Sequence, residues 1–489
     1  MKVFKNVLYN LSYQILAIAL PLVTTPYVSR VIGPQGIGIM NFTNSIISYF
    51  LLFGNFGLAT YGNREIAYYQ NDPKKRSSVF WSVFITRIFF ILISFAAFCF
   101  WLVYINHERF FLVYIFQSIG LVGAALDVSW FFMGMENFKV TVIRNSVVKI
   151  ASFAAVLLLV KKSSDVWVYA FIISGSTLIG NLTMFPMLKK YIRFVHFRDL
   201  SFARAIIQSF WLFVPTIAIS LYVYLNKTLA GIFVSIKAAG FYAQSDSLVK
   251  LLLTVSMALG SAMMPHISNL FQQKKMQEVK NHIQKSFQFI TLLSCGMCFG
   301  LISIASNFVP LFFGPGFDKV ADLIIIEAFV IVIISWSNVI GVQYLIPSNQ
   351  IKSYTISVTI GSILNILLDL IFIPFLGIDG VMLATVLAEG SVTTYQLWSV
   401  HPQLDIHGLF FEIWKPFSAA VIMWLGLDLI NAYPLQSASN FIIIFLDIVI
   451  GVIAYLLLCF GFRYAPIISL YTRFQGLFMS KLGRTTKKD

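Results

Sequence analysis

Several ionisable side chains of this chain stand inside apolar runs, where each is retained only with a counter-charge or a water-filled cavity. Arg87 and Asp127 lie at similar heights in successive runs at about 1.5 Å per residue, so they can form a structural ion pair or line a cavity together. Arg144 and Lys149 share a run with no carboxylate; snorkelling to water serves Arg144, near the end of the run, better than Lys149 at mid-depth. Asp246 and Lys250, spaced i, i+4, can neutralise each other on one helical face or present their charges to a cavity. Arg30 and Lys227 stand at equivalent ends of two further runs. The first half thus sets Arg87, Arg144 and Lys149 against Asp127, with Arg30 at the rim. The second sets Lys227 and Lys250 against Asp246, Glu327, Asp369 and Glu389. Fixed positive charge in a low-dielectric cavity replaces the hydration an anion loses there, and an acidic cavity does the same for a cation.

A second set of residues offers oxygen. Asn365 and Asp369 are one helical turn apart, and Val381 and Thr385 repeat that spacing in the next run. An amide, a carboxylate, a hydroxyl and a backbone carbonyl are hard donors of the kind that hold an alkali cation in broken-helix transporters. Interhelical hydrogen bonding is the plainer use of the same groups.

These residues must be positioned by helices. Hydrophobic residues make up 58% of the 489 residues and charged ones 11%, whereas a soluble domain carries about 25% charge. The chain reads as fourteen apolar runs, each long enough to span a hydrocarbon layer about 30 Å thick. They cover 7–28, 37–60, 78–104, 110–134, 139–160, 166–188, 205–229, 241–267, 286–312, 320–346, 355–375, 380–400, 415–431 and 441–462. The first is too long and too polar-flanked for a cleavable signal. The predicted fold is all-α and polytopic: an N-lobe of six helices (1–188), a basic amphipathic linker along the membrane surface (189–204), a C-lobe of six helices (205–400), and two appended helices with a basic tail (401–489). The design of the first run returns in the seventh. Tyr27 and Arg30, ahead of Gly33-Pro34 and behind Pro21 and Pro26, correspond to Tyr224 and Lys227, ahead of Gly231 and behind Pro215. Gly36, Gly38 and Gly240 leave room for close approach of other backbone.

The net charge of +15 is distributed through the connections, with no separate basic domain to engage nucleic acid. Connections on one side hold 24 Lys and Arg, including a cluster from Arg473 to Lys488; those on the other hold six: Arg30, Arg109, Lys161, Lys162, Lys237 and Lys319. The positive-inside rule then places both termini in the cytoplasm. Cys295-Gly-Met-Cys298 has metal-like spacing, but with no histidine or carboxylate beside it packing is the expected role. The six histidines lie in loops or at helix ends without a His-Glu-x-x-His pattern, and no outer connection is long enough for a catalytic site, so no enzyme and no cofactor is expected.

Ser29-Arg-Val-Ile-Gly-Pro-Gln-Gly-Ile-Gly38, Phe56-Gly-Leu-Ala-Thr-Tyr-Gly-Asn-Arg-Glu-Ile-Ala67, Trp130-Phe-Phe-Met-Gly-Met-Glu-Asn-Phe138 and Gly240-Phe-Tyr-Ala with Ala258-Leu-Gly-Ser-Ala-Met-Met-Pro265 resemble the polysaccharide repeat-unit flippases of the Wzx type. That family shares a superfamily with the lipid II flippase and the multidrug and toxin extruders. The resemblance, running from the N-terminus through about the twelfth helix, implies export of an undecaprenyl-pyrophosphate-linked oligosaccharide from the inner to the outer leaflet of the bacterial cytoplasmic membrane by alternating access. It further implies partners in polysaccharide polymerisation and export, and Na+ or H+ as a coupling ion. The cations Arg30, Arg87, Arg144, Lys149, Lys227 and Lys250, with Asp127, would meet the pyrophosphate. In the lipid II flippase branch a sodium site is similar to Asn365, Asp369, Val381 and Thr385, completed by an acid where this chain has Asn226. The arginines of that branch's first helix are not matched either, which points to a headgroup other than lipid II. A multidrug cation antiporter would want an acidic first half; a membrane polymerase would want a catalytic loop.

Overall fold

Gly33 divides the first fifty residues. At φ 69° and ψ 178° it breaks the helix Lys2–Asn55 in a conformation open essentially to glycine alone, and Pro34 starts the next stretch. The first two expected runs are therefore one chain of helix with a corner in it. The computed structural model describes residues 2–105, 110–432 and 440–472. The outer connection at 106–109 and the basic cluster from Arg473 onward lie outside the described residues. Among the described residues the fold is all-α, without a strand.

Helices occupy each of the expected runs. Among the described residues eleven segments are long and apolar enough to cross a membrane, the first containing the Gly33 corner; the helices Phe202–Leu229 and Ile378–Val400 are not among the eleven. The expectation of fourteen crossings with both termini inside, drawn from the charge bias of the connections, is tested by thiol labelling. An impermeant reagent should reach Ser163→Cys in intact cells and Gln273→Cys only after permeabilisation; the opposite pattern contradicts the topology.

Contact density groups the helices into two compact units, Met1–Ala243 with Phe313–Gly316, and Gln244–Phe312 with the chain from Phe317 onward. The helix Phe202–Leu229 falls in the first unit, although its place in the repeat assigns it to a lobe spanning 205–400. Two contacts explain this. Ser45 Oγ lies 2.9 Å from Thr228 Oγ1, and Gly231 packs so closely on Phe42 that a Cβ there would fall 2.2 Å from the ring.

Within the first unit, the sequence motifs interlock in pairs. A Cβ on Gly38 would lie 2.1 Å from the carbonyl oxygen of Ile236, and one on Gly240 would lie 2.8 Å from Gly38 N, so backbone meets backbone. A Cβ on Gly62 would strike Trp130 at 2.5 Å, and one on Gly134 would strike Asn63 O at 2.7 Å. Around this second contact Leu58, Tyr61, Ile66, Phe80, Trp130 and Phe131 form a buried core. Gly38→Ala should accordingly cost about 1–3 kcal/mol by overpacking, read as a lower melting temperature in detergent. An unchanged melt would mean the two segments are not in contact.

Connections follow local chemistry. Asp72 caps the helix Pro73–Tyr104, its carboxylate accepting from Lys74 N and Lys75 N, with proline at the first helical position. The linker at 189–204 is mostly irregular and tied to that same helix: Trp81 Nε1 donates to Arg193 O at 3.1 Å and Arg76 Nη2 to Tyr191 O at 2.8 Å. Phe194 and Phe197 stay 93% and 72% exposed, as aromatic anchors at a membrane surface would.

In the second unit Phe287, Val339, Tyr344 and Val400 belong to one core. The appended helix Asn440–Gly461 and its extension are held to the helix Met276–Phe313, where Tyr455 Oη donates to Leu292 O at 2.7 Å and Tyr464 Oη to Gln288 O at 2.8 Å. Cys295 and Cys298 are buried free thiols on that helix.

Candidate ligand-binding and ion-coupling sites

Three expected residues meet in the first unit. Arg87, 3% exposed on the helix Pro73–Tyr104, donates through Nη1 to the Asp127 carbonyl at 2.9 Å, and its Nη2 lies 3.5 Å from Asp127 Oδ2. Nη2 also donates to Asn55 Oδ1 at 2.9 Å. Arg144 Nη2 lies 3.9 Å from Asp127 Oδ1 and 3.0 Å from the Met184 sulfur. The carboxylate is already in use, because Oδ1 accepts from Ser129 N at 2.9 Å, and 3.9 Å is too long for a hydrogen bond. A buried and a half-buried arginine therefore share one aspartate, and the cluster keeps a positive excess. Two features of the sequence made this possible. The helix Phe111–Ala125 stops just before Asp127, freeing the backbone that Arg87 binds. Gly180 admits the Arg144 stem, since a Cβ there would sit 3.3 Å from Arg144 Cδ.

Lys149 stands apart from this cluster. Its ammonium lies over the Tyr13 ring, 5.4 Å from the centroid, a cation–π contact that leaves the charge in place. Among the described residues no carboxylate is within ion-pair distance of it.

Arg30 and Lys227 flank the corners where their helices end. Arg30 is exposed, and its stem lies where a Cβ on Gly314 would come within 2.7 Å. Lys227 is half-buried, one turn before the π-helical turn Ala230–Val234. Their repeat neighbours are both hydrogen-bonded or ring-stacked: Tyr27 Oη donates to Val160 O at 2.8 Å, and Tyr224 meets Tyr49 edge-on at 5.9 Å.

The second unit pairs its charges. Lys250 Nζ is 2.7 Å from Asp246 Oδ1, the expected i, i+4 pair. Beside it Ser245 Oγ donates to Glu327 Oε2 at 2.6 Å, with Glu327 1% exposed. Two carboxylates thus accompany one lysine. Sequence alone counted Glu327 as an embedded acid but could not pair it with Ser245, 82 positions away. Asn55 and Met184, which hold Arg87 and Arg144, were missed for the same reason.

Asn365, Asp369, Val381 and Thr385 are all buried, on the helices Ile351–Leu376 and Ile378–Val400. These two helices approach closely: a Cβ on Gly361 would be 2.3 Å from Val392, and one on Gly380 would be 2.8 Å from Phe372 C. Thr385 Oγ1 donates to Val381 O at 2.9 Å. A buried carboxylate with an amide one turn away and a buried hydroxyl suits a hard monovalent cation. Asn226 belongs to the first unit, where its Nδ2 donates to Tyr242 Oη at 2.9 Å.

Residues 3–271, more than half of the chain, match the polysaccharide biosynthesis protein family. The chain belongs to that family. A relative from Escherichia coli (strain K12) named for O-antigen transport is 25% identical over 367 residues, 74% of this chain and 88% of that one. Among solved structures, the lipid II flippase MurJ in an inward closed conformation matches with a TM-score of 0.75 at 16% identity, covering 93% of this chain and 98% of that one. An inward-facing multidrug resistance MATE transporter of the MOP superfamily matches with a TM-score of 0.60 at 11% identity, over 80% of this chain and 94% of that one. This polysaccharide biosynthesis protein shares its fold with those two structures.

Proposed function

We propose that this membrane protein is a flippase that carries an undecaprenyl-pyrophosphate-linked oligosaccharide across the bacterial cytoplasmic membrane by alternating access, driven by a cation. The observation that carries the reading is the positive excess of the first unit's cluster, where Arg87 and Arg144 share the single carboxylate of Asp127. An arginine excess suits a pyrophosphate, whose planar oxygen faces match the guanidinium fork. It disfavours cationic drugs, which a multidrug extruder of the same fold would carry. The relative named for O-antigen transport and the polysaccharide biosynthesis family membership support the glycan substrate; the membrane helices support the multi-pass location.

Within this reading Arg144 and Lys149 engage the phosphates during the crossing, while Arg30 and Lys227, at the helix corners, act in capture or release. Asp369 and Asn365, with Thr385 and the Val381 carbonyl, would hold the coupling Na+; a bound cation would supply the free energy that resets the transporter. A protein of this kind works beside a polysaccharide polymerase and export machinery. The test is reconstitution in vesicles with a fluorescent lipid-linked oligosaccharide, reading the fraction reached by an impermeant quencher. Exposure no faster than in empty vesicles would refute the function.

A further inference from the structure

The first unit has a cavity of about 900 Å³ between the helices Phe138–Leu159 and Val166–Leu182, on a different face of the former from the one that brings Lys149 to Tyr13. Its wall is apolar over most of its length, with Ile143, Val147, Ala151 and Leu159 on one side and Phe171 and Ile179 on the other. From Lys139 to Leu159 that wall spans about 30 Å, the thickness of the hydrocarbon layer. Charge is confined to one end. Lys139, Arg144 and Lys190 all line it there, beside Asn137 and Tyr191. Lys139 and Lys190 are exposed, and Arg144 is held short of full neutralisation by the 3.9 Å gap to Asp127. Three cations at the inner mouth of an apolar channel one leaflet-pair long match a molecule with a phosphate head and a long hydrocarbon chain.

We propose that this groove seats the polyprenyl chain and the proximal phosphate of the lipid-linked substrate, with Lys139 and Lys190 on the phosphate, Arg144 next along its path, and the Phe138–Leu159 and Val166–Leu182 helices on the chain. The assignment rests on the flippase reading and deepens it. The hydrocarbon stays in contact with lipid along an open groove while the headgroup is passed inward through Arg144, a charged residue that lines the groove and also faces Asp127. A phosphate held by Lys139 and Lys190 needs to move only about 8 Å along the helix to reach Arg144. Arg144 is then a gate between capture and crossing.

The test uses the full-length protein in nanodiscs with a diazirine-bearing undecaprenyl phosphate. Photolabel should appear on peptides from 138–159 and 166–188, be displaced by undecaprenyl phosphate, and resist undecaprenol and phosphatidylglycerol. The triple variant Lys139→Gln, Arg144→Gln, Lys190→Gln should lower labelling by roughly tenfold or more, given the loss of three headgroup cations. Ala151→Trp fills the groove at an exposed position without touching a charge, so it should cut both labelling and flipping while the melting temperature holds. Label elsewhere, equal displacement by phosphatidylglycerol (a phospholipid seat), or full labelling of Ala151→Trp would overturn the assignment. The two readings separate cleanly: a wild-type protein that labels in the groove but does not flip the oligosaccharide defeats the transport function alone, and one that flips without labelling there defeats the groove alone.

Discussion

Asp127→Ala is expected to cost about 3–5 kcal/mol of stability, the usual result of removing one partner from a buried ion pair. It strands Arg87, which is 3% exposed, and removes the carboxylate facing Arg144. It leaves the Asp127 carbonyl in place, so the 2.9 Å bond from Arg87 Nη1 survives in principle, and the loss isolates the charge. A melt in detergent should fall well below wild type, and adding Arg87→Met, an apolar side chain of similar reach, should recover part of it. An unshifted melt for the single variant would show that water already reaches the cluster and that the pair is a cavity lining rather than a structural tie. Either way the two arginines are not equivalent. Arg87 makes three close contacts and Arg144 makes its charged contact at long range, so Arg144→Gln should spare the melt and reduce transport.

Asp369→Asn should abolish gradient-driven transport while the protein accumulates in the membrane. Asparagine keeps the size and the hydrogen-bonding capacity and removes the negative charge, and a cation held by neutral oxygens alone in a buried site loses its main electrostatic partner. Asn365→Ala should weaken the same step by removing an oxygen one turn away, and Thr385→Val by removing the hydroxyl that is oriented by Val381 O. Transport is to be measured under imposed sodium and proton gradients separately. Export by Asp369→Asn that still follows either gradient at the wild-type rate would take the coupling role away from these helices.

How much was legible before the structure follows from what each feature depends on. Helix positions depend on runs of apolar residues, and each run was readable, while polar helix ends such as 276–285 lie up to ten residues outside it. The corner at Gly33 was readable because glycine followed by proline has few other uses in an apolar run. The glycines at 38 and 240 announced close backbone approach, but not toward whom; that Gly38 meets Ile236 and that Gly62 meets Trp130 are long-range pairings with no local signature. Charge pairs behaved likewise. Asp246 with Lys250 is an i, i+4 pair and was visible, whereas Arg144 reaching the same Asp127 as Arg87 required knowing how three helices cross. Grouping of Phe202–Leu229 with the first unit was hidden for a related reason: sequence repetition records descent of the halves, while Ser45 and Thr228 record packing.

Fixed positive charge in the first unit is proposed to move a pyrophosphate-linked glycan through the membrane. Leaflet exposure of a fluorescent undecaprenyl-pyrophosphate oligosaccharide measures this in vesicles carrying wild type, Lys149→Ala, or Arg144→Gln with Lys149→Ala. An ammonium resting on the Tyr13 ring with no carboxylate partner among the described residues contributes little that its removal would cost the fold. The expected result is therefore rapid exposure with wild type, slow exposure with Lys149→Ala, none above empty vesicles with the double variant, and melting temperatures for both at or above wild type. Double-variant vesicles that expose the fluorophore at the wild-type rate would contradict the claim.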